Sequence, residues 1–218
     1  VKNLTKHDSG NTFKTIVSTL ENLGYIVSFR LLNAKDFGVP QHRERIIIVA
    51  VRADLSSKAF SFNLNYSLPI NLKNFLTSFE NYAFLPVQDY TIISQEHKLQ
   101  QSGLIFCGYR NKNIRKNGVK ENSLHLSRTH KQPNRIYHIN GTHPTLSSQE
   151  SSGRYFIYDG YKVFKLQLQD CFRLMGFPDN YIKIGSQANL YNRIGNSVCI
   201  PMVREVMRSI LEEFDFMR

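Results

Sequence analysis

The stretch Asn33-Ala-Lys-Asp-Phe-Gly-Val-Pro-Gln-His-Arg-Glu-Arg45 runs without a break into the apolar segment Ile46-Ile-Ile-Val-Ala-Val51. A segment so continuously apolar and β-branched has no face to leave in water, so Arg45 to Arg52 reads as a buried strand. Upstream, Tyr25 to Leu32 reads as a second strand, rich in β-branched and aromatic residues. Before that, Phe13, Ile16, Val17, Leu20 and Leu23 recur at helical spacing until Gly24, with the stretch Asp8-Ser9-Gly10-Asn11 offering caps. A helix and two buried strands flanking a loop that carries Arg43 and Arg45 fit the edge of an α/β sheet covered on both faces.

The chain has 218 residues, of which 41% are hydrophobic, enough to bury the core of one large or two small domains. No apolar run approaches the roughly 18 to 20 residues of a membrane helix, and the N-terminus has no signal-peptide pattern. The 28 basic residues against 17 acidic ones give a net charge of +11, which points to a polyanionic partner or, more simply, to a solvated basic surface. The excess is concentrated. Arg110, Lys112, Arg115, Lys116, Lys120, Arg128, Lys131 and Arg135 lie close together with His125 and His130, and Glu121 is the only acid among them. Cys107, Cys171 and Cys199 are too far apart for a chelating pair and odd in number, so reduced thiols in a cytoplasm are expected, with Cys171 and Cys199 packed as small hydrophobes in helices. No metal site is expected.

From about Ala53 to Lys165 the sequence becomes rich in Asn, Ser, Lys and Tyr. It carries the short apolar runs Gly103 to Cys107 and Tyr155 to Tyr158, with turn signals at Asn117-Gly118, Asn140-Gly141 and Asp159-Gly160. This is the pattern of a small, mostly β insert. Helical periodicity returns at Leu168, Cys171, Phe172 and Met175, and a last helix is expected after Gly195-Asn196, with Val203, Val206, Ile210, Leu211 and Phe214 inward and Glu205, Arg208 and Glu212 outward. The chain is thus α/β, divided as 1–72, an insert at 73–166, and a return to the first domain at 167–218.

Gln41-x-Arg43-x-Arg45, Arg173-Leu-Met-Gly-Phe-Pro178 and Arg193-Ile-Gly-Asn-Ser-Val-Cys-Ile-Pro201 occur in the order of three sequence blocks of the cytosine-5 DNA methyltransferases, and the chain resembles the C-terminal half of that family. The resemblance covers roughly residues 1 to 52 and 130 to 204. It implies part of a Rossmann-like methyltransferase sheet with an inserted target recognition domain, and methyl transfer from S-adenosyl-methionine to carbon 5 of a cytosine flipped out of duplex DNA through a covalent cysteine adduct. Val1-Lys-Asn-Leu4 is similar to the tail of the family's Glu-Asn-Val motif, so the Gly-rich cofactor loop, the Pro-Cys thiolate and the glutamate are expected on a preceding portion or a separate chain. A bacterial restriction-modification enzyme in the cytoplasm, inactive without its N-terminal portion, is the leading expectation. The alternative is a non-catalytic DNA-binding remnant.

The resemblance implies roles for individual residues. Attack at carbon 6 pushes electron density onto the cytosine O2 and N3, and a fixed guanidinium stabilises it. Arg45 is expected there, with Arg43 on a phosphate or on the glutamate; the simpler reading is two surface arginines paired with Glu44 and Asp36. Asn196, Ser197 and Val198 are expected to wall the S-adenosyl-methionine pocket at a helix start, although Asn and Ser are also ordinary caps. Gln132 is the candidate to fill the space left by the flipped base. Thr145, Ser147 and Gly153 are expected near the DNA backbone, and Arg135 and Arg154 at guanine edges; each of these is otherwise a solvated loop residue. Leu168 and Asp170 replace the family's usual Pro and Glu, which should weaken the opening cap of their helix.

Overall fold

The computed structural model describes residues 2–76, 82–93, 100–112, 126 and 129–214. Val1 of the opening motif lies outside the described residues, as do Arg115, Lys116, Lys120, Glu121, His125 and Arg128 of the basic block and the Asn117-Gly118 turn. The chain forms two compact units, one of residues 1–38, 43–68 and 199–218, the other of residues 39–42 and 69–198.

In the first unit, helix α1 (Asn11–Asn22) leads into strand β1 (Tyr25–Asn33), which pairs antiparallel with β3 (Glu44–Arg52) from Tyr25 opposite Arg52 to Asn33 opposite Glu44. Both strands and the helix fall where the sequence places them. The cap does not. Asp8 and Ser9 take left-handed backbone angles (φ 49° and 53°), and the residue preceding the helix is Gly10 at φ 91°, with no side-chain capping bond. A side chain caps from an extended backbone, and that turn denies it one. Nor is the ribbon covered on both faces: Phe29 and Leu31 are 51% and 46% exposed. Their cross-strand partners Ile48 and Ile46 share that face, which among the described residues is covered chiefly by α1, where Phe13 meets Phe29 edge-on at 4.7 Å.

Residues 53–68 have no regular structure and belong to this unit, so the change in composition at Ala53 is not a change of unit. They run beside helix α5 (Ile200–Phe214): Ser61 gives its N–H and its hydroxyl to Glu213, and Asn65 gives its N–H to Glu205. These acceptors rotate the helix from the expected stripe. Its buried face is Met202, Val206 and Ser209 with the Glu213 side chain, while Val203 and Ile210 are only partly buried. Arg208 bridges Glu205 and Glu212 on the outer side, as expected from their spacing.

The second unit is built on a five-stranded sheet ordered β4 (Tyr90–Ile92), β5 (Phe106–Arg110), β6 (Arg135–His138), β8 (Phe156–Tyr158) and β9 (Val163–Lys165). Only β6 and β8 are parallel, and the connection between them carries a short strand, β7 (His143–Pro144), that pairs parallel with β2 (Gln41–His42). Cys107, Ile136, Phe156 and Val163 form one buried cluster, and Tyr137, Ile157 and Phe164 belong to another with Cys171, Leu174, Met175 and Ile194. Adjacent residues of a strand project to opposite faces, so both faces of this sheet are packed. Burial pushes all three thiols upward, as expected of cysteines acting as packing groups. Helices α3 (Leu168–Arg173) and α4 (Gln187–Asn196) are in this unit, whose boundary falls at 198.

Helix α3 opens with a reciprocal box in which the Asp170 carboxylate accepts the Gln167 N–H at 2.8 Å. The Tyr82 hydroxyl donates to the same oxygen at 2.8 Å. The substitution expected to weaken the cap therefore preserves it, because a carboxylate one methylene shorter still reaches the first turn. We predict that Asp170→Ala costs about 2 to 4 kcal/mol, removing the cap and the hydrogen bond that the buried Tyr82 hydroxyl donates. Tyr82→Phe alone should cost about 1 kcal/mol and almost nothing in the Asp170→Ala background. Urea unfolding of the four proteins measures that coupling.

Candidate functional site

Gly38 turns the chain at φ 79° and delivers Val39, Pro40, Gln41 and His42 into the second unit. Gln41 is fully buried. Its Nε2 donates to the carbonyl of Leu174 at 2.8 Å, and its Oε1 accepts the N–H of Leu146 at 3.2 Å. Around it the His143 N–H donates to the Pro40 carbonyl at 2.7 Å, and the Thr145 hydroxyl to the His42 carbonyl at 2.8 Å. One amide thus joins the Gln-x-Arg-x-Arg block to the Thr145-Leu-Ser147 segment and to the Arg173 to Pro178 block. Sequence reading used Gln41 only as a motif member; its setting among Phe37, Val39 and Pro40 is the signal that it is buried.

Arg43 and Arg45 belong to the first unit. The backbone of Arg43 is pinned on both sides, its N–H to Asn33 Oδ1 at 3.0 Å and its carbonyl by the Ala34 N–H at 3.0 Å. Its side chain is buried and lies within electrostatic reach of Cys199. Arg45 stands opposite Leu32 in the ribbon and is partly buried, which lowers its pKa, and its Nη1 donates to the Glu44 carbonyl at 2.7 Å. Arg43 is not a surface arginine, being sealed from solvent, and Asp36 is bonded to Lys35 at 3.0 Å.

At the start of β6, Arg135 donates from Nε to the His130 carbonyl at 3.0 Å and from Nη1 to Gln132 Oε1 at 2.9 Å, and Gln132 also meets the Tyr137 hydroxyl at 3.3 Å. Buried His130 stacks on Tyr109 with ring centres 3.9 Å apart. Exposed Gln132 thus stands on a braced platform. Among the basic residues that are described, Arg110 faces inward, its guanidinium 5.1 Å over the Phe156 ring and 3.7 Å from Asp89.

The loop from Thr145 to Arg154 rests on α4. Tyr155 accepts the Ser147 N–H at 3.2 Å, and the Ser147 hydroxyl accepts the Gln149 N–H at 3.1 Å. Gly153 takes φ 63° against the Tyr191 ring, where an added Cβ would lie 2.3 Å from the phenol. Gly195 meets the Ser147 peptide so closely that a Cβ would fall 2.3 Å from its carbonyl oxygen. That approach explains why Gly195-Asn196 closes α4 rather than opening a helix, contrary to expectation. Ser197 follows, its hydroxyl donating to the Arg193 carbonyl at 2.9 Å, and α5 begins only at Ile200. The Asn196 side chain is exposed and makes no hydrogen bond among the described residues, and Val198 is 57% exposed. Among the described residues no three His, Cys, Asp or Glu side chains are grouped to hold a metal, and no helix is long and apolar enough to cross a membrane.

The model of the family described as C-5 cytosine-specific DNA methylase matches residues 1–212. The chain is 30% identical over 218 residues to Type II methyltransferase M.Bsp6I of Bacillus sp. (strain RFL6), covering 96% of this chain and 62% of that protein. It is also 30% identical over 220 residues to Type II methyltransferase M.HhaI of Haemophilus parahaemolyticus, covering 99% of this chain and 62% of that one. The chain thus spans less than two thirds of the length of these relatives. Among solved structures it resembles the Entamoeba histolytica methyltransferase EhMeth (TM-score 0.55, 14% identity, 93% of this chain and 58% of that one). The S. pombe Dnmt2 methyltransferase gives TM-score 0.55 at 14% identity over 96% of this chain and 66% of that one. At such identities the likeness is one of fold, and it bears out the α/β, Rossmann-like methyltransferase architecture.

Two predictions follow from this geometry. Gln41→Ala should cost about 2 kcal/mol, because it removes two buried hydrogen bonds, to the Leu174 carbonyl and from the Leu146 N–H; a shift in the urea midpoint tests it. His143 is buried, its Nδ1 2.6 Å from the Pro144 carbonyl, and burial lowers its pKa from 6.5 to about 4. The folded value lies below the unfolded one, so the stabilisation is complete above pH 6.5 and is lost as pH falls toward about 4, on the order of 3 kcal/mol in all. His143→Asn, which keeps a donor for that carbonyl, should flatten this part of the stability-pH curve.

Proposed function

The chain belongs to the C-5 cytosine-specific DNA methylase family, and from that premise we propose that residues 1–218 are the C-terminal portion of a bacterial, cytoplasmic DNA (cytosine-5-)-methyltransferase of a restriction-modification system. In this reading residues 1–72 and 167–218 complete the catalytic domain, residues 73–166 form the target recognition domain, and duplex DNA and the enzyme's N-terminal portion are the partners. The N-terminal portion supplies the thiolate, the glutamate and the main cofactor loop. S-adenosyl-methionine supplies the methyl group. Asn196, Ser197 and Val198 form one wall of its pocket.

The observation that carries the proposal is the setting of Arg45: a partly buried guanidinium rooted on β3, two residues from a buried Arg43 whose backbone is pinned on both sides. A cation held out of bulk water needs little reorganisation as negative charge develops, which suits it to the cytosine O2 when a thiolate adds at carbon 6. Of the two contacts expected of Arg43, a phosphate or the glutamate, a guanidinium sealed from solvent suits the carboxylate and not the solvated phosphate. Gln132 fills the space left by the flipped base, and Arg135, Thr145, Ser147 and Arg154 contact the duplex, whereas Gly153, expected near the DNA backbone, is buried against Tyr191 and seats their loop instead. The apolar face of the β1–β3 ribbon, with Phe29 and Leu31 exposed, favours this reading over a non-catalytic DNA-binding remnant. A remnant freed from a partner would gain solubility by replacing such a face with polar residues.

Methyl transfer from labelled S-adenosyl-methionine to cytosine-containing duplex DNA tests the proposal. The chain alone should be silent, and the chain mixed with its N-terminal portion active. In the active mixture Arg45→Lys should lower kcat by about 100-fold or more with a small change in KM, since an ammonium cannot reproduce the planar donor set. Transfer by the chain alone would show that the chemistry had been assigned to the wrong half.

A further inference from the structure

Arg135 and Arg154 are both candidates to read guanine, and their surroundings separate them. Arg135 has its Nε on the His130 carbonyl and its Nη1 on Gln132. Its fork is therefore partly occupied, and by the residue proposed to fill the helix. Arg154 is bonded through Nε alone, to Glu150 Oε2 at 3.1 Å and Oε1 at 3.3 Å. Its side chain is 47% exposed, and neither Nη group has an acceptor among the described residues. An end-on pair of parallel N–H donors is what the O6 and N7 of guanine accept in the major groove.

Glu150 is what fixes that pair. Its side chain is only 3% exposed. Burial alone would push the carboxyl up, but the N–H and hydroxyl of Ser152, both at 2.7 Å, and the Arg154 cation outweigh burial and hold it below its ordinary value. The Ser151 N–H adds a further donor at 3.1 Å. The loop between them is seated by Gly153 on Tyr191. An arginine beside a carboxylate is also a poor anchor for phosphate, because the pair carries no net charge and releases few counterions, while its donors keep their direction.

We infer that Arg154 reads one guanine of the target duplex end-on through its Nη groups, that Glu150 is the positioning residue holding it there, and that Arg135 serves instead to orient Gln132. This rests on the methyltransferase reading above and adds to it a base identity and the residue that enforces it.

The test is selection of bound DNA from a duplex library with a randomised central block, using the enzyme assembled from this chain and its N-terminal portion. Arg154→Lys should reduce the preference for guanine at one position by about 10- to 100-fold and leave the other positions and the salt slope intact. Glu150→Gln keeps the Oε1 acceptor for Ser151 and Ser152 but turns an amide toward Arg154 Nε, so it should weaken the same position at an unchanged Tm. Placing 7-deazaguanine there should penalise the wild type and not Arg154→Lys. Preference unchanged in Arg154→Lys, or lost with a shallower salt slope, would make Arg154 a phosphate contact and overturn the assignment. A Glu150→Gln protein that falls in Tm and loses preference everywhere would reduce Glu150 to a loop cap and overturn its positioning role. A wild-type enzyme that methylates DNA without sequence preference overturns this inference alone; one that neither methylates nor binds DNA overturns the methyltransferase reading with it.

Discussion

The second unit depends on a single buried amide. Gln41 has both an acceptor and a donor to satisfy, and, fully buried, it meets them in two backbone groups far away in the chain, at Leu146 and Leu174. Only a side chain with both functions at that length meets both demands: a carboxylate would oppose the Leu174 carbonyl, and an apolar residue would make neither hydrogen bond. The short parallel pairing of β2 with β7 continues the same logic in the backbone. Order in Thr145 to Ser147 and in Leu174-Met175 is therefore inherited from a residue that the chain places two positions before Arg43.

Arg43 and Arg45 show how one extended segment creates two electrostatic environments. Arg43 is closed off from solvent while its backbone is fixed by Asn33 and Ala34; Arg45 keeps part of its surface open and turns one donor back onto the Glu44 carbonyl. Burial opposes the charge on Arg45 without removing it, because a guanidinium gives up its proton far above neutral pH. A retained charge with little water around it interacts more strongly with any anion that forms nearby than a solvated one does. That is the physical content of the role proposed for it, and it rests on the strand rather than on a mobile loop.

What the sequence disclosed and what it hid divide along the range of the interactions. Helical spacing from Phe13 to Leu23 and the apolar run after Arg45 depend on neighbours a few residues away, and both elements lie where those patterns put them. The cap at Asp8 and Ser9 was misread because a left-handed turn, invisible in composition, takes their side chains away from the helix. The buried stripe of α5 was misread because Ser61 and Asn65, distant in sequence, bring donors that draw Glu213 and Glu205 to them. Gly195-Asn196 looked like a helix start since Asn and Ser are common caps; contact with the Ser147 peptide decides otherwise. The three motif blocks were legible by resemblance, but nothing in them announces that Gln41 bonds to Leu174 of the second block and to Leu146 in the insert.

The glycines complete the argument about how recognition and methyl-donor elements are related. Gly195 allows the last turn of α4 to touch the Ser147 peptide, and Gly153 allows the loop to cross the Tyr191 ring of the same helix. Both approaches are closer than any side chain permits, so the loop and the helix cannot move apart independently without losing contacts that nothing else replaces. Asn196 and Ser197 directly follow the first of these contacts in the chain, and Arg154 directly follows the second. If the former line the cofactor pocket and the latter meets the duplex, as proposed, then displacement of either group is resisted by the same helix, and a substitution that adds a Cβ at Gly195 disturbs both groups even though it touches neither ligand.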